Sequence, residues 1–217
     1  MAEYLVHQEV YKAERDEQIL AMNSLSLLYP NMSIPVSMKT FSFVDIAKFD
    51  YPASWAVHGT GISDIKRMEA SLVNTINVHY TADGTREVSG TQMAARIDVT
   101  VVSKDNGLTI GDEIKVLNQG LKEKNYKLGK FIETINDIKV NPLIGSSRVD
   151  VYQLESETIK LAGYEYWVAV LQTKSRYYLV RLITIGRQEN FRTWAQNTQT
   201  YKVLLESLGP ASKRNTD

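Results

Sequence analysis

Three histidines, His7, His58 and His79, are the first residues to test for metal or general-base chemistry. No two of them stand at i, i+4 and no HExxH-type pattern surrounds them, so a zinc site has no local support. His58 ends one predicted strand and His79 lies on the polar face of another, which reads as edge or solvated histidine. "GTGISD", 59–64, shares two glycines with phosphate-cradling loops. It does not open an amphipathic helix within a strand–helix–strand unit, and it reads as a turn. "SDIK", 63–66, is formally SxxK, the spacing that puts a lysine one helical turn from a nucleophilic serine. Its companion SDN and KTG motifs are absent, as is GxSxG, so the match is set aside. The absence of cysteine removes thiolate nucleophiles, cysteine metal sites and disulfides together. Glu155 and Glu157 flank Ser156 in what reads as a solvated loop, and paired-acid chemistry needs two carboxyls facing across a cleft. No catalytic, metal-ligating or cofactor-binding residue is assigned, and no cofactor is expected.

Aromatic residues give the remaining candidate. Tyr164, Tyr166, Trp167, Tyr177 and Tyr178 crowd two adjacent predicted strands. Such residues anchor interfaces, but they also pack across strands beneath helices, and the second reading is preferred. A nucleic-acid platform would interleave basic residues with them. Arg176 and Arg181 are present, yet Glu165 alternates with the aromatics. The whole chain carries 25 basic and 25 acidic residues, so no global field draws it to nucleic acid or anionic lipid. No run of 18 apolar residues spans a membrane, and "MAEYLVHQEVYKAERDEQ" has no apolar signal-peptide core.

The elements that must position any site follow from periodicity. Residues 3–22 predict a helix with a narrow apolar stripe, Val6, Val10 and Ala13, continued by Glu17 or Leu20. "LLYPNMSIPV", 27–36, reads as an extended linker because of Pro30 and Pro35. A stripe this thin suits docking on a partner, and Val6, Val10, Ala13 and Leu20 are the candidate partner-binding residues. "FSFVDIAKF", 41–49, predicts a strand, and "DYPASWAV", 50–57, a sheet corner: Pro52 cannot donate to a ladder and Trp55 anchors the next short strand, 55–58. "SLVNTINVHYT", 71–81, alternates, with Leu72, Ile76, Val78 and Tyr80 on one face and Asn74 as the exception. "ADGTREVSG", 82–90, reads as a hairpin loop around Asp83-Gly84, returning through "ARIDVTVV", 95–102. The period then changes to helical over 107–125, with Thr109 as N-cap and Asp112 completing a capping box. Strands follow at 126–140, 148–155, 159–172 and 176–185 around a loop at 141–147. The last two strands are apolar on both faces, hence central. A final helix, capped by Asn190, presents Phe191, Trp194, Thr198, Tyr201, Leu205 and Leu208, and Gly209-Pro210 stops it. The order predicts an α+β fold: a central antiparallel β-sheet flanked by helices. The expected organisation is an arm over 1–35, a domain over 36–209 and a disordered tail over 210–217.

"FDYPASWAV", "GLTIGDEIKVLNQGLK", the strand "YYLVRLITI" and "NFRTWAQNTQTYKVLLESL" together resemble the corresponding segments of PsbP-type domains, over about residues 41–208. The superfamily includes the PsbP subunit of photosystem II, the Mog-type Ran-binding proteins and the bacterial DcrB-type periplasmic proteins, the last being the nearest in this reading. The resemblance implies an α/β/α sandwich and a non-catalytic role. The chain is therefore expected to be a bacterial accessory protein that binds protein partners in an envelope or secretion assembly. A small-molecule or lipid-binding module is the alternative, and an enzyme of unrecognised type ranks third. The expected compartment is the periplasm, with a targeting segment removed, or else the cytoplasm. Membrane association is expected only through such a removed N-terminal segment.

Overall fold

The computed structural model describes residues 37–82, 86–136, 138–144, 148–156 and 163–211. The predicted N-terminal helix, its linker and the candidate residues Val6, Val10, Ala13 and Leu20 lie outside the described residues, as do His7 and Glu157.

A hairpin opens the fold. Strands β1 (Met38–Phe43) and β2 (Ala47–Pro52) pair antiparallel from Met38↔Pro52 to Phe43↔Ala47. This corrects the single strand expected over 41–49. The chain reverses at Val44, whose φ of 50° is left-handed, and the Ile46 amide donates to the Phe43 carbonyl. A β-branched residue at that φ is costly, and no glycine, proline or asparagine marks the turn in the sequence. Phe41 stacks on Phe49 with ring centres 5.3 Å apart, which helps hold the reversal.

The main sheet has seven strands in the order β3-β4-β5-β9-β8-β7-β6. They are β3 (Ala56–Asp64), β4 (Arg67–Ala82), β5 (Arg86–Ser103), β6 (Tyr126–Asn136), β7 (Arg148–Ser156), β8 (Tyr164–Gln172) and β9 (Arg176–Ile185). Every pairing is antiparallel. The two doubly apolar strands, β8 and β9, are interior as expected. Among the described residues two α-helices accompany the sheets, α1 (Ile110–Glu123) and α2 (Phe191–Ser207). Both predicted caps form. The Thr109 and Asp112 side chains exchange bonds with each other's backbone amides, and the Asn190 side chain accepts from the Thr193 amide.

Alternation sends side chains to two sheet faces. On the first, Val180, Leu182, Trp167, Ile97 and Val99 meet Tyr201, Leu204 and Leu205 of α2 and the aromatic residues of the β1–β2 hairpin. The Tyr201 hydroxyl donates to the Val180 carbonyl at 2.9 Å. On the second, Leu179 and Val102 meet Leu117 of α1, and Ile183 and Leu154 meet Leu121. The crowded aromatics divide the same way and are largely core: Trp167 and Tyr178 lie under the first cover, Tyr164 and Tyr166 under the second.

Several boundaries move. "GTGISD" is strand, not turn: β3 runs through it with register shifts after His58 and Ile62. Glycines that suggest a turn also accommodate bulges. The hairpin loop expected over 82–90 shrinks, because β4 reaches Ala82 and β5 begins at Arg86. Strands β6 and β8 occupy only parts of the predicted 126–140 and 159–172. Gly209–Pro210 forms a short strand, β10, on β2, and the Ala211 amide donates to the Ile46 carbonyl. Pro210 and Ala211, the first residues of the expected tail, are thus tied to β2 and Ile46, and residues 212–217 lie outside the described residues. Asn74, the odd residue on an apolar face, donates to Asn197 Oδ1 at 3.0 Å, while Asn197 donates to Thr184 Oγ1 and the Ala94 carbonyl. The exception in the alternation is thus a polar bridge from half-buried Asn74 on β4 to buried Asn197 on α2.

Candidate functional site

Helix α1 lies on the second face because its apolar residues repeat at helical spacing and its N-terminal turn is tied down. Glu113 is fully buried, and its carboxylate accepts from Arg67 Nη1 at 2.5 Å and Asn106 Nδ2 at 3.4 Å. One fourteen-residue helix cannot cover seven strands, and a cleft opens on each flank.

The larger cleft, about 280 Å³, lies toward β6, β7 and β8. Ile114, Leu117, Leu128, Tyr152, Val168 and Val170 line it, with Arg148 and Asp150 among its polar groups. Its size approaches the lower bound for small-ligand pockets. Phe131 on β6, well exposed, rests its ring 5.5 Å from Tyr152.

The smaller cleft, about 90 Å³, lies between the C-terminal half of α1 and strands β5, β8 and β9. Its floor is a charged network. Asp98 Oδ1 accepts from Arg96 Nε at 2.8 Å and from the Ser71 hydroxyl at 2.5 Å. Arg96 Nη2 also donates to Ser71 at 3.0 Å. Burial pushes the Asp98 carboxyl up, but Arg181 and Arg96 beside it, with the Ser71 bond, hold it below the usual carboxylate range. Burial pushes the Tyr166 hydroxyl up to about 12, so it stays protonated through neutral pH. Gly120 lines this cleft, and apart from its chain neighbours and its own helix backbone no atom lies within 4 Å of where its side chain would begin. Neither packing nor backbone strain explains a glycine there. Gly120→Ala should therefore stabilise the fold by about 1 kcal/mol through helix propensity, measurable as a higher midpoint in urea. A lower midpoint would show that the helix needs the gap.

A second charged centre lies on the opposite face. Glu165, buried on β8, accepts from the indole N–H groups of Trp167 and Trp194, each at 2.9 Å, and from Arg187 Nε at 2.9 Å. Arg187 also reaches Glu133 and stacks on the Trp194 ring, 4.7 Å from its centre. Burial raises the Glu165 carboxyl, but the bond to Arg187 and its charge outweigh this, and the net shift is downward. A carboxylate held by these donors is fixed in its ionised form and serves the core. An acid inside the apolar run "YEYWVAV" signals a buried partner, but the partner's identity was not readable, since Arg187 lies beyond the next strand.

The remaining candidates are dispersed. His58 is exposed on β3, and His79 is on β4. Ser63 is in β3 while Lys66 is in the tight turn to β4, so SDIK does not lie on a helix. Glu155 is exposed near the end of β7, in register with Lys127. Among the described residues, no three His, Asp or Glu side chains gather to hold a metal, and no helix is long and apolar enough to cross a membrane.

The β4–β5 hairpin is the other open feature. Strand β3 pairs with β4 only as far as Val73, and β9 pairs with β5 only from Ala95. Beyond them β4 and β5 continue as a two-stranded ribbon from Thr75↔Met93 to Ala82↔Arg86. Its base is pinned by Tyr164, whose hydroxyl accepts from the Gln92 amide and donates to the Met93 carbonyl at 3.0 Å.

No family model matches this chain, and no curated protein matches it. Solved structures do. The chain is similar to cyanobacterial PsbP (CyanoP) from Synechocystis sp. PCC 6803, at 9% identity and a TM-score of 0.47, over 79% of this chain and 94% of that one. It is similar to the Ran-binding protein Mog1p of Saccharomyces cerevisiae, at 9% identity and 0.44, over 81% and 96%. It is also similar to protein PA94 of Pseudomonas aeruginosa, a putative regulator of unknown function, at 12% identity and 0.32, over 75% and 94%. The first two are of the PsbP and Mog types to which the sequence resemblance points.

Proposed function

We propose that this chain is a non-catalytic accessory protein that binds an extended segment of another protein, as a subunit or assembly factor of a bacterial envelope or secretion complex. In this reading the domain is an α/β/α sandwich nearest the DcrB-like proteins. Residues 1–35 form a helical docking arm that presents Val6, Val10, Ala13 and Leu20, and the protein works in the periplasm. The observation that carries the reading is the β4–β5 ribbon. Its eight paired positions span about 25 Å. Among the described residues no third strand pairs with either edge. Two strands alone are marginal in water, and open edges invite a further strand. An extended segment adding to one edge would satisfy the backbone groups there, the strand-addition mode of recognition.

Replacing residues 76–91 by an Asn-Gly turn tests this. The shortened protein should keep its circular dichroism spectrum and lose an envelope or secretion component that the full chain captures by cross-linking. Removal of residues 1–35 tests the arm in the same assay. Capture of the same component by the ribbon-shortened protein would overturn the ribbon's role.

The second reading, a small-molecule or lipid-binding module, is favoured by the 280 Å³ cleft. A ligand that binds only the folded state raises the melting temperature. A broad library, lipids included, that produces no rise would remove this reading.

A further inference from the structure

We propose that the smaller cleft beside α1 is a binding site for a small oxyanion, a phosphate or carboxylate group, held by Arg181 and Arg96. The proposal is independent of the protein-binding reading.

The argument begins with Arg181. A guanidinium has five N–H donors in a rigid fork, and burying them without partners is costly. Arg181 is largely buried, yet its contacts are poor. Nη2 lies 3.5 Å from Thr100 Oγ1 and 3.9 Å from Asp98 Oδ2. Its fork also meets the Tyr166 hydroxyl. Nε has no partner, and it is the one buried side-chain polar atom in that condition among the described residues. The carboxylate that faces it is shared: Asp98 turns Oδ1 to Arg96 and Ser71 and leaves only Oδ2, at 3.9 Å, for Arg181.

The cleft opens onto the accessible part of the Arg181 guanidinium, beside the buried Nε. Three cationic side chains, Arg96, Arg181 and Lys124, line it against the single carboxylate of Asp98. Its 90 Å³ corresponds to about three water molecules' share of liquid volume, room for a phosphate or a short carboxylate. Tyr166 lines it as a neutral hydroxyl able to donate. On the helix side Gly120 leaves the approach unobstructed. Paired oxygens on one small anion match the fork of an arginine, a geometry that a lysine-rich surface does not offer.

The test uses the full chain. Its melting temperature is measured in inorganic phosphate, glycerol phosphate and acetate, each matched with chloride to constant ionic strength. At least one of the three should raise the melting temperature in a saturable way, and which one does so names the head group: free phosphate, phosphomonoester or carboxylate. The rise should vanish in Arg181→Gln and persist in Lys174→Gln, which alters an exposed lysine in the β8–β9 turn. If Arg181→Gln does not fold, the Arg181 Nε–H resonance of the unaltered protein provides the readout, and it should shift on titration. No rise with any of the three anions, an equal rise in Arg181→Gln, or a resonance unmoved by titration would overturn the site.

Discussion

Arg187→Ala should cost about 3–5 kcal/mol, the usual penalty for stripping the partner from a buried charge, and lower the melting temperature by about 10 °C or more. Both side chains of the Arg187–Glu165 pair are nearly inaccessible, so solvent does little to replace the lost cation. The indole N–H groups of Trp167 and Trp194 remain, but neutral donors do not cancel the charge. Combining Arg187→Ala with Glu165→Gln should recover part of the loss, since an amide in that place need not be ionised. The pH dependence adds a second signature. In the unaltered protein the Glu165 carboxyl sits below its ordinary value, so it contributes stability above about pH 4.5 that is lost as the pH falls through the folded value. Without Arg187, burial dominates and the carboxyl moves up, so the folded state takes up its proton first as the pH falls. The gap between the two proteins should therefore narrow from pH 7 toward pH 4. A gap that stays constant, or a cost below about 1 kcal/mol, would place the ion pair in solvent rather than in the core.

Trp55→Ala should cost about 3–5 kcal/mol, the range for truncating a core aromatic. Trp55 is buried at the corner where the chain leaves the small sheet for the large one, and its amide donates to the Pro52 carbonyl at 3.0 Å. The ring belongs to the same core as Phe49, Tyr51 and Leu208. Truncation leaves a void at the junction of the β1–β2 hairpin, β10 and the main sheet, which neighbouring backbones cannot all close. Urea unfolding measures the loss, with Trp55→Phe expected to be milder. Full stability with impaired partner capture would instead make the segment a binding element.

Local chemistry was legible and pairing across the chain was not. The capping pair Thr109 and Asp112, the cap Asn190 and strand β9 were readable because each is decided by residues within a few positions. The turn at Val44 was hidden because pairing, not turn propensity, imposes it. The strand through "GTGISD" was hidden because a bulged glycine and a turn glycine look alike until β4 is beside them. The same distinction governs the cleft. Asp98 and Arg181 face each other only because β5 pairs with β9, and no spacing in the sequence encodes that register. Asn74 shows the converse case: the anomaly was visible, and only its partner on α2 was missing.

The order β3-β4-β5-β9-β8-β7-β6 has a kinetic consequence. Strands β3 to β5 are consecutive neighbours, and so are β6 to β9. Within this sheet only the β5–β9 seam joins residues far apart along the chain, roughly 70–90 positions, a closure that costs about 4 kcal/mol in loop entropy. Each half can zip up from its own hairpins, and the seam then sets the folding rate. Until it closes, two long strand edges, those of β5 and β9, stand open to solvent, and this is the interval in which the chain is most exposed to aggregation.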